Sequence, residues 1–309
     1  MSWSPEAEEL QRMLERFCAS HAAGVHVDAE PKQVIEDLWR PLAETGVLAL
    51  ATPAGGGGHL DIAAAMEVLG AAAFPGPIAA TVLANQLLDG DDLAAVGDGS
   101  TIVVLGTSPV LAWATVADRF LVVDAPGTLC WAEAAGPVVP TRGVAGTWSG
   151  RVELRCVEAV PPERARRGLA AAEAASASYL AAAGSHLVAD ASAYAKDRHQ
   201  FGRPIGDFQA VAFPLVECHA RLTAAAGLAR RAAEALDDVE APTSAEVERL
   251  AALAALSARR AALQAVAACH QVLGAVGFAA EGPMTAHRSR IAEHVLLPPV
   301  PQQLEHLVL

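Results

Sequence analysis

The stretch from Tyr194 to Ala212, YAKDRHQFGRPIGDFQAVA, carries the residue types best suited to gripping an anion. Gly202 supplies a stop for the helix before it, and Pro204 stiffens the linker. Asp207 stands where an N-cap belongs, so Phe208 and Gln209 are expected to open the next helix. Arg198 is placed on the last turn of the first helix and Gln209 on the first turn of the second. Such a corner gathers a guanidinium, a side-chain amide and free backbone N–H groups. A phosphate or diphosphate suits that set, because Arg offers a two-pronged fork and a helix N-terminus favours negative charge. The alternative from spacing alone is that Arg198 pairs with an acid and the Gly-Pro turn only reverses the chain.

Other chemistry is weakly written. The Gly55–Gly58 run lacks the Lys-Ser/Thr pair that a phosphate loop needs, so a turn between helices is expected. His186, His199, His219 and His270 show no metal-ligand spacing. The five cysteines, Cys18, Cys130, Cys156, Cys218 and Cys269, are scattered, form no CxxC, and are expected as reduced thiols.

The elements that must position the corner fall into three textures. Residues 1–98 read as helices with loop punctuation, starting at Pro5-Glu6, where acids face the positive end of the helix. Val34 to Thr45 predicts a second helix stopped by Gly46, and Ile62 to Ala73 a third. Residues 99–160 switch to β-branched runs (TIVVLGT, RFLVVDA, GPVVP, GRVELRCVEAV), which predict about five strands in a small antiparallel sheet. Trp113, Trp131 and Trp148 are expected to fill its core. Residues 161–309 return to long Ala-rich helices: Arg164 to His199, Ala210 to Asp237, and a third to about Leu273, opened by a Thr243-x-x-Glu246 capping box and broken at Gly274. Long helices joined by short connections form a bundle, and their flat, small-residue faces suit oligomer contacts.

Composition narrows the class. The 309 residues are 53% hydrophobic and 18% charged, too apolar for a disordered chain. The net charge of −13 argues against a nucleic-acid partner. Mean hydropathy is +0.31, but much of it is Ala, and no run of ~20 strongly apolar residues predicts a membrane span. The opening MSWSPEAEELQRMLERF predicts an acidic amphipathic helix rather than a leader, which points to the cytoplasm.

The segment R-x-x-F-G-x-x-I-x-x-F-Q, from Arg198 to Gln209, resembles the acyl-CoA dehydrogenase family. WRPLAETGVLALATPAGGGGHLDIAAAMEVLG (Trp39 to Gly70) and QVLGAVGFAAEGPM (Gln271 to Met284) resemble two further segments of that family. The resemblance spans nearly the whole chain and is weakest in the middle third. It implies a mainly α fold with a small β domain: an N-terminal helical domain (1–98), a reduced antiparallel β domain (99–160) and a C-terminal four-helix bundle (161–309). It implies FAD as cofactor. Arg198, Phe201 and Gln209 match positions that hold the FAD diphosphate and adenine part; Gln271 and Gly274 match positions at the adenosine end of an FAD lying mostly in a neighbouring subunit. Ala275 replaces the usual second glycine.

Two departures qualify the resemblance. The middle domain lacks the family's Thr/Ser-Glu-Pro-x-Ala-Gly-Ser segment, and GTSPVLAWATVADRF is the closest piece. Pro298 falls where the usual catalytic Glu should be, and Pro cannot act as a base. Some members carry that Glu on the bundle helix instead, and Glu173 falls there. It is the only carboxylate in GLAAAEAASASYLAAAG, which makes it the candidate base for an α-proton. The alternative is that Glu173 faces solvent or pairs with Arg166 or Arg167. Glu293 and Glu305 are expected to be solvated. Retained and lost features together resemble the short subunits of heteromeric actinobacterial acyl-CoA dehydrogenases. That implies α,β-dehydrogenation of a bulky acyl-CoA at a site shared with a second dehydrogenase-like subunit, with electrons passed to an electron-transfer flavoprotein. A self-sufficient homodimer and a non-catalytic structural subunit are the alternatives.

Overall fold

The computed structural model describes residues 3–21, 29–107, 109–124, 128–143, 147–238, 244–279, 282 and 284–298. Helix α1 (Pro5–His21) starts at the expected proline. Helix α2 (Pro31–Val34) runs through a π-helical turn (Ile35–Trp39) into α3 (Arg40–Glu44). Pro41 has no N–H to continue the ladder, and the Arg40 N–H reaches back five residues to the Ile35 carbonyl. Gly46, at φ +82°, ends the run as expected.

Helix α4 (His59–Ala71) begins three residues earlier than the sequence pattern predicted. Its N-terminus is capped from far away: the Asp237 carboxylate accepts from the His59 N–H (2.7 Å) and the Leu60 N–H (2.8 Å). A side-chain anion therefore already occupies the position a phosphate would take, which closes the phosphate-loop alternative for Gly55–Gly58. A Cβ on Gly58 would sit 2.5 Å from Asp237 Oδ2, so the approach depends on glycine there. Helices α5 (Ile78–Asn85) and α6 (Gly90–Gly97) complete the N-terminal part.

The β region corrects the sequence expectation. Among the described residues it contains seven strands in two sheets rather than about five in one. Strands β1 (Val103–Gly106), β3 (Arg119–Asp124), β4 (Thr128–Ala134) and β7 (Leu154–Ala159) form one sheet in the order β1-β3-β4-β7. Strands β2 (Val110–Ala112), β6 (Trp148–Arg151) and β5 (Val139–Arg142) form the other, in the order β2-β6-β5. β1 pairs with β3 in parallel, so the region is not purely antiparallel. GRVELRCVEAV is two strands because Val152, buried between them, gives its N–H to the Pro109 carbonyl (2.8 Å) instead of a ladder. Trp113 and Trp131 are buried as expected, and Trp148 is half-buried.

The cysteine expectation is also corrected: Cys130 on β4 and Cys156 on β7 form a disulfide. They lie 26 residues apart in sequence, and strand pairing brings their Cα atoms to 5.9 Å. Cys18, Cys218 and Cys269 are free and buried.

The C-terminal part is three long helices, α7 (Pro162–Asp197), α8 (Gln209–Asp237) and α9 (Ser244–Leu273), followed by α10 (Ala275–Phe278) and α11 (Thr285–Val295). Thr243, the expected cap of α9, lies outside the described residues. Small residues let these helices approach closely: Ala183 and Ala191 on α7, Ala225 and Ala229 on α8, and Ala258, Ala262 and Ala265 on α9 are fully buried. A Cβ on Gly184 would meet Leu222 at 2.6 Å, and one on Gly70 would fall on the Tyr179 carbonyl, so α4 also packs tightly on α7. By length and composition α9 could cross a membrane, but it is packed between α7 and α8, and that packing accounts for its apolar face.

Candidate functional site

Helix α7 ends at Asp197, two residues earlier than expected, and Arg198 is its C-cap rather than a member of its last turn. The Arg198 N–H reaches the Tyr194 carbonyl (2.9 Å), and its carbonyl accepts from the Ile205 N–H (2.8 Å). Between them the chain makes a small hairpin, β8 (His199–Gln200) against β9 (Arg203–Pro204). Its tip is Phe201-Gly202, with φ +51° and +80°. A two-residue hairpin turn of this hand needs positive φ at both positions. Glycine takes it freely; phenylalanine takes it under strain. The Phe201 ring is 92% exposed. Arg203 stacks on Phe208, its Cζ 4.1 Å from the ring centre.

Asp207 is not the N-cap of α8. It ends a 3-10 turn (Ile205–Asp207), and the capping position falls to Phe208, whose side chain cannot cap. The positive end of the 29-residue helix α8 therefore opens at Gln209 with no side-chain acceptor on it. The side chains of Arg198, Gln209 and Gln271 are exposed and form no hydrogen bond or ion pair with a described residue. The alternative that Arg198 pairs with an acid is not realised among the described residues.

Chain direction brings these groups together. α7 runs out to Arg198, α8 runs back from Gln209, and α9 runs out again to Gln271. The C-terminal ends of α7 and α9 and the N-terminus of α8 therefore share one end of the bundle. Gly274, at φ +57°, breaks α9 there and turns the chain into α10.

Glu173 belongs to the opposite end. It is 5% exposed, so it neither faces solvent nor pairs with its sequence neighbours. Arg166 bonds Glu163 (2.6 Å) and Glu248 (3.2 Å), and Arg167 donates to the Leu236 carbonyl (3.1 Å). Burial pushes the Glu173 carboxyl up to about 8; Arg259 pulls it down and Glu248 pushes it further up. Arg259, itself buried, donates to the Leu297 carbonyl at 2.8 Å. This contact joins the two family positions for the base: Arg259 sits by Glu173 and holds the residue next to Pro298.

Helix α11 lies antiparallel on α7 and seals this end. His287 stacks on His186 (4.4 Å between centres) and its Nε2–H donates to the Ala71 carbonyl (2.9 Å). His294 stacks on Tyr179 (4.1 Å) and shares a 2.9 Å hydrogen bond with the Ser176 hydroxyl. Glu293, expected to be solvated, is buried and paired with Arg290 at 2.7 Å, because α11 turns that face toward Trp113. Glu305 lies outside the described residues. A cavity of about 30 Å³ remains between Gly76–Ala80, Trp113, Glu293 and His294. That holds a water molecule or two and no thioester or flavin ring.

Arg259, Arg290 and His294 were not singled out from the sequence. Periodicity offers a signal for one of them: Arg259 falls on the stripe of Ala252, Ala255 and Leu256, all buried.

The spacing of the two ends decides what they can share. Arg198 lies 25 residues beyond Glu173 along α7, about 37 Å at ~1.5 Å rise per residue. The two positions therefore lie far apart along one rigid helix.

Comparison with known proteins gives the family. Residues 4–97 match "Acyl-CoA dehydrogenase, N-terminal domain", and residues 163–294 match "Acyl-CoA dehydrogenase, C-terminal domain". The chain belongs to the acyl-CoA dehydrogenase family. It is 32% identical over 271 residues to the acyl-CoA dehydrogenase IpdE2 of Mycobacterium tuberculosis, covering 82% of each chain. Its fold superimposes on a variant of the Tcur3481-Tcur3483 steroid ACAD with TM-score 0.80, at 24% identity and over 98% of this chain and 96% of that one. It also superimposes on a chain of the ChsE4-ChsE5 complex from Mycobacterium tuberculosis with TM-score 0.78, at 19% identity and over 99% and 97% of the two chains. Membership in this family makes the chain an oxidoreductase of acyl-CoA CH–CH bonds with FAD as cofactor. Unspent donors at a helix N-terminus fit the diphosphate of that cofactor.

Proposed function

We propose that this chain is one subunit of a two-chain acyl-CoA dehydrogenase, and that its corner completes a flavin site whose ring lies in the partner. The observation that carries the reading is the group of unspent donors, Arg198, Gln209 and Gln271, at one end of the bundle. Arg198 supplies a bidentate fork for the diphosphate, Gln209 opens the helix dipole toward it, and Gln271 with the Gly274 turn meets the adenosine. Bound FAD supplies the acceptor for the hydride lost from Cβ of the thioester. The α-proton at that site needs a base from the partner, since Glu173 is about 37 Å away along the helix.

The exposed face of the bundle supports a partner. Phe213 and Val216 on α8 and Leu263 on α9 stand open, and a hydrogen bond between Glu217 and Gln264 knits the two helices side by side. The neighbours that are a steroid dehydrogenase or a two-protein complex support a second dehydrogenase-like subunit and a bulky acyl-CoA; in this reading an electron-transfer flavoprotein takes the electrons. A cytoplasmic enzyme accords with these assignments.

One observation favours a second reading. Glu173 is a buried carboxyl held well above its ordinary range, as an α-proton base requires. It would serve this chain's own junction of helices and sheet, once that junction opened.

The test is expression of this chain alone and together with its genomic neighbour. The reading expects a yellow, active complex and a colourless single chain. A yellow, active protein from this chain alone overturns it. Glu173→Gln in the complex expects unchanged turnover; loss of turnover with FAD retained moves the assignment to the second reading.

A further inference from the structure

The disulfide in the β region joins a buried residue, Cys130 on β4, to an exposed one, Cys156 on β7. It ties down a sheet edge. β7 is the last strand of its sheet and pairs with β4. None of its residues is buried: Leu154 is half-buried, and Arg155 to Ala159 are exposed. No buried side chain therefore fixes which residue of β7 faces which residue of β4, and the register of such a strand is weakly specified. The pairing already carries one irregularity. Trp131 faces Glu158 and Ala132 faces Cys156, so Val157 has no residue opposite it. The cysteines stand on either side of this bulge, since Cys130 faces Ala159. Their bond crosses the bulge diagonally and fixes Val157 as the extra residue. The ion pair of Arg155 with Glu133, at 3.4 Å between two exposed side chains, adds little. Beyond β7 the chain passes through Val160, packed in one cluster with Leu129, Trp131, Ala165 and Ala172, into α7. Whatever pins β7 also pins the start of α7.

We propose that the Cys130–Cys156 pair is a thiol–disulfide exchange site for a dithiol, and that its redox state decides whether β7 is locked in one register on β4. Attack falls on Cys156, the accessible partner, and exposed disulfides are the labile ones. A thiolate of the dithiol forms a mixed disulfide with the Cys156 sulfur, and the Cys130 sulfur leaves as a thiolate and takes up a proton. The second thiol of the dithiol then displaces Cys156, which is protonated in turn. Two electrons pass from the dithiol to the cysteine pair, leaving two thiols on the protein and a disulfide on the reductant. The free cysteines do not compete. Cys18, Cys218 and Cys269 are buried, and burial pushes Cys18 up to about 11 and Cys269 up to about 12, so they stay protonated. With the bond open, β7 keeps its ladder and one exposed ion pair, and the bulge is free to move along the strand.

The probe is dithiothreitol. The full chain, alone and with its co-expressed partner, is equilibrated in buffers of varied reduced-to-oxidised dithiothreitol ratio, quenched in acid, unfolded and alkylated, and the cysteine peptides are weighed. Cys18, Cys218 and Cys269 are expected to be alkylated in every buffer. Cys130 and Cys156 are expected to be alkylated together, in the reduced buffers alone, and to be protected again when the oxidised form is restored. Hydrogen exchange is then followed in the folded protein at both extremes. Amides of residues 154–159 are expected to exchange at least about tenfold faster after reduction, while those of β3 keep their rate. Cys156→Ser, a change at an exposed position, is expected to show the fast rate in both buffers. The proposal is overturned if Cys130 and Cys156 are alkylated in every buffer, or if the folded protein keeps the bond in fully reduced dithiothreitol. It is equally overturned if the bond opens and β7 exchanges at an unchanged rate.

Discussion

The two ends of the bundle have opposite characters. At the corner end, Arg198, Gln209 and Gln271 have no polar side-chain partners among the described residues, Phe201 and Phe278 stand in solvent, and Phe201 holds a strained backbone. At the Glu173 end, carboxyls, guanidinia and imidazoles are buried and paired, and α11 closes over them. Burying ionisable groups without need costs stability, and exposing aromatic rings without need costs solubility. The contrast is what the proposed role of the open end rests on. The sealed end buries Glu173, and the cavity lined by Trp113, Glu293 and His294 among the described residues has room for a water molecule or two.

If the sealed end is a neutralised remnant, its pH response should be large. Glu173 is held at about 8 against an ordinary value near 4.5, so the folded chain binds a proton that the unfolded chain releases. Its contribution is intact below about 4.5 and is lost as pH rises toward 8. Glu173→Gln, which has no proton to lose, should stay stable across that range and gain on the order of 4 kcal/mol over the parent at pH 8.5. Urea denaturation at pH 5 and 8.5 reads this directly, and parallel curves for the two proteins would show that the carboxyl is solvated.

His287 runs the other way. Burial holds it down to about 4 from an ordinary 6.5, so its contribution is present above 6.5 and is lost as pH falls toward 4. His287→Gln should flatten acid destabilisation by roughly 3 kcal/mol between pH 6.5 and 4, measured by the same denaturation series. An unaltered acid limb would mean that α11 is not locked by this histidine.

The open end should respond in binding and hardly in stability. Arg198→Ala removes charge-assisted hydrogen bonds worth about 1.5–3 kcal/mol, so FAD affinity of the complex should fall at least tenfold with Tm unchanged. Flavin fluorescence after dialysis measures it; a fall in Tm with full flavin would make Arg198 structural.

Phe201→Gly gives the smallest effect. Glycine at φ +51° relieves strain and gains less than about 1 kcal/mol in the chain alone. Thermal melts detect it. If Phe201 touches the cofactor, the same variant loses flavin while gaining stability.

Much of the fold was legible in residue patterns. Pro5 and Gly46 mark helix boundaries because their backbone restrictions act locally, and the long Ala-rich runs mark α7, α8 and α9. The corner was legible for the same reason: Arg198, Gly202 and Gln209 are close in sequence, and the displacements were small, Arg198 moving from the last turn to the C-cap and the cap of α8 from Asp207 to Phe208 after a 3-10 turn. The β region was less legible. The parallel β1–β3 pair, the break at Val152 and the Cys130–Cys156 bond depend on partners many residues away. Glu173 was visible as a lone acid, but Arg259 and α11, which determine its state, belong to other helices.

By itself the sequence determined the family, the helix-rich frame and the place of the inter-helical bend, because neighbouring residues and their φ preferences are enough for those. Only the tertiary structure decided that Glu173 is buried and Arg198 exposed. They share one helix, and the rigid rise of that helix holds them apart. Whether each end is open or closed depends on what packs against it, and packing partners are set by the fold rather than by adjacency along the chain.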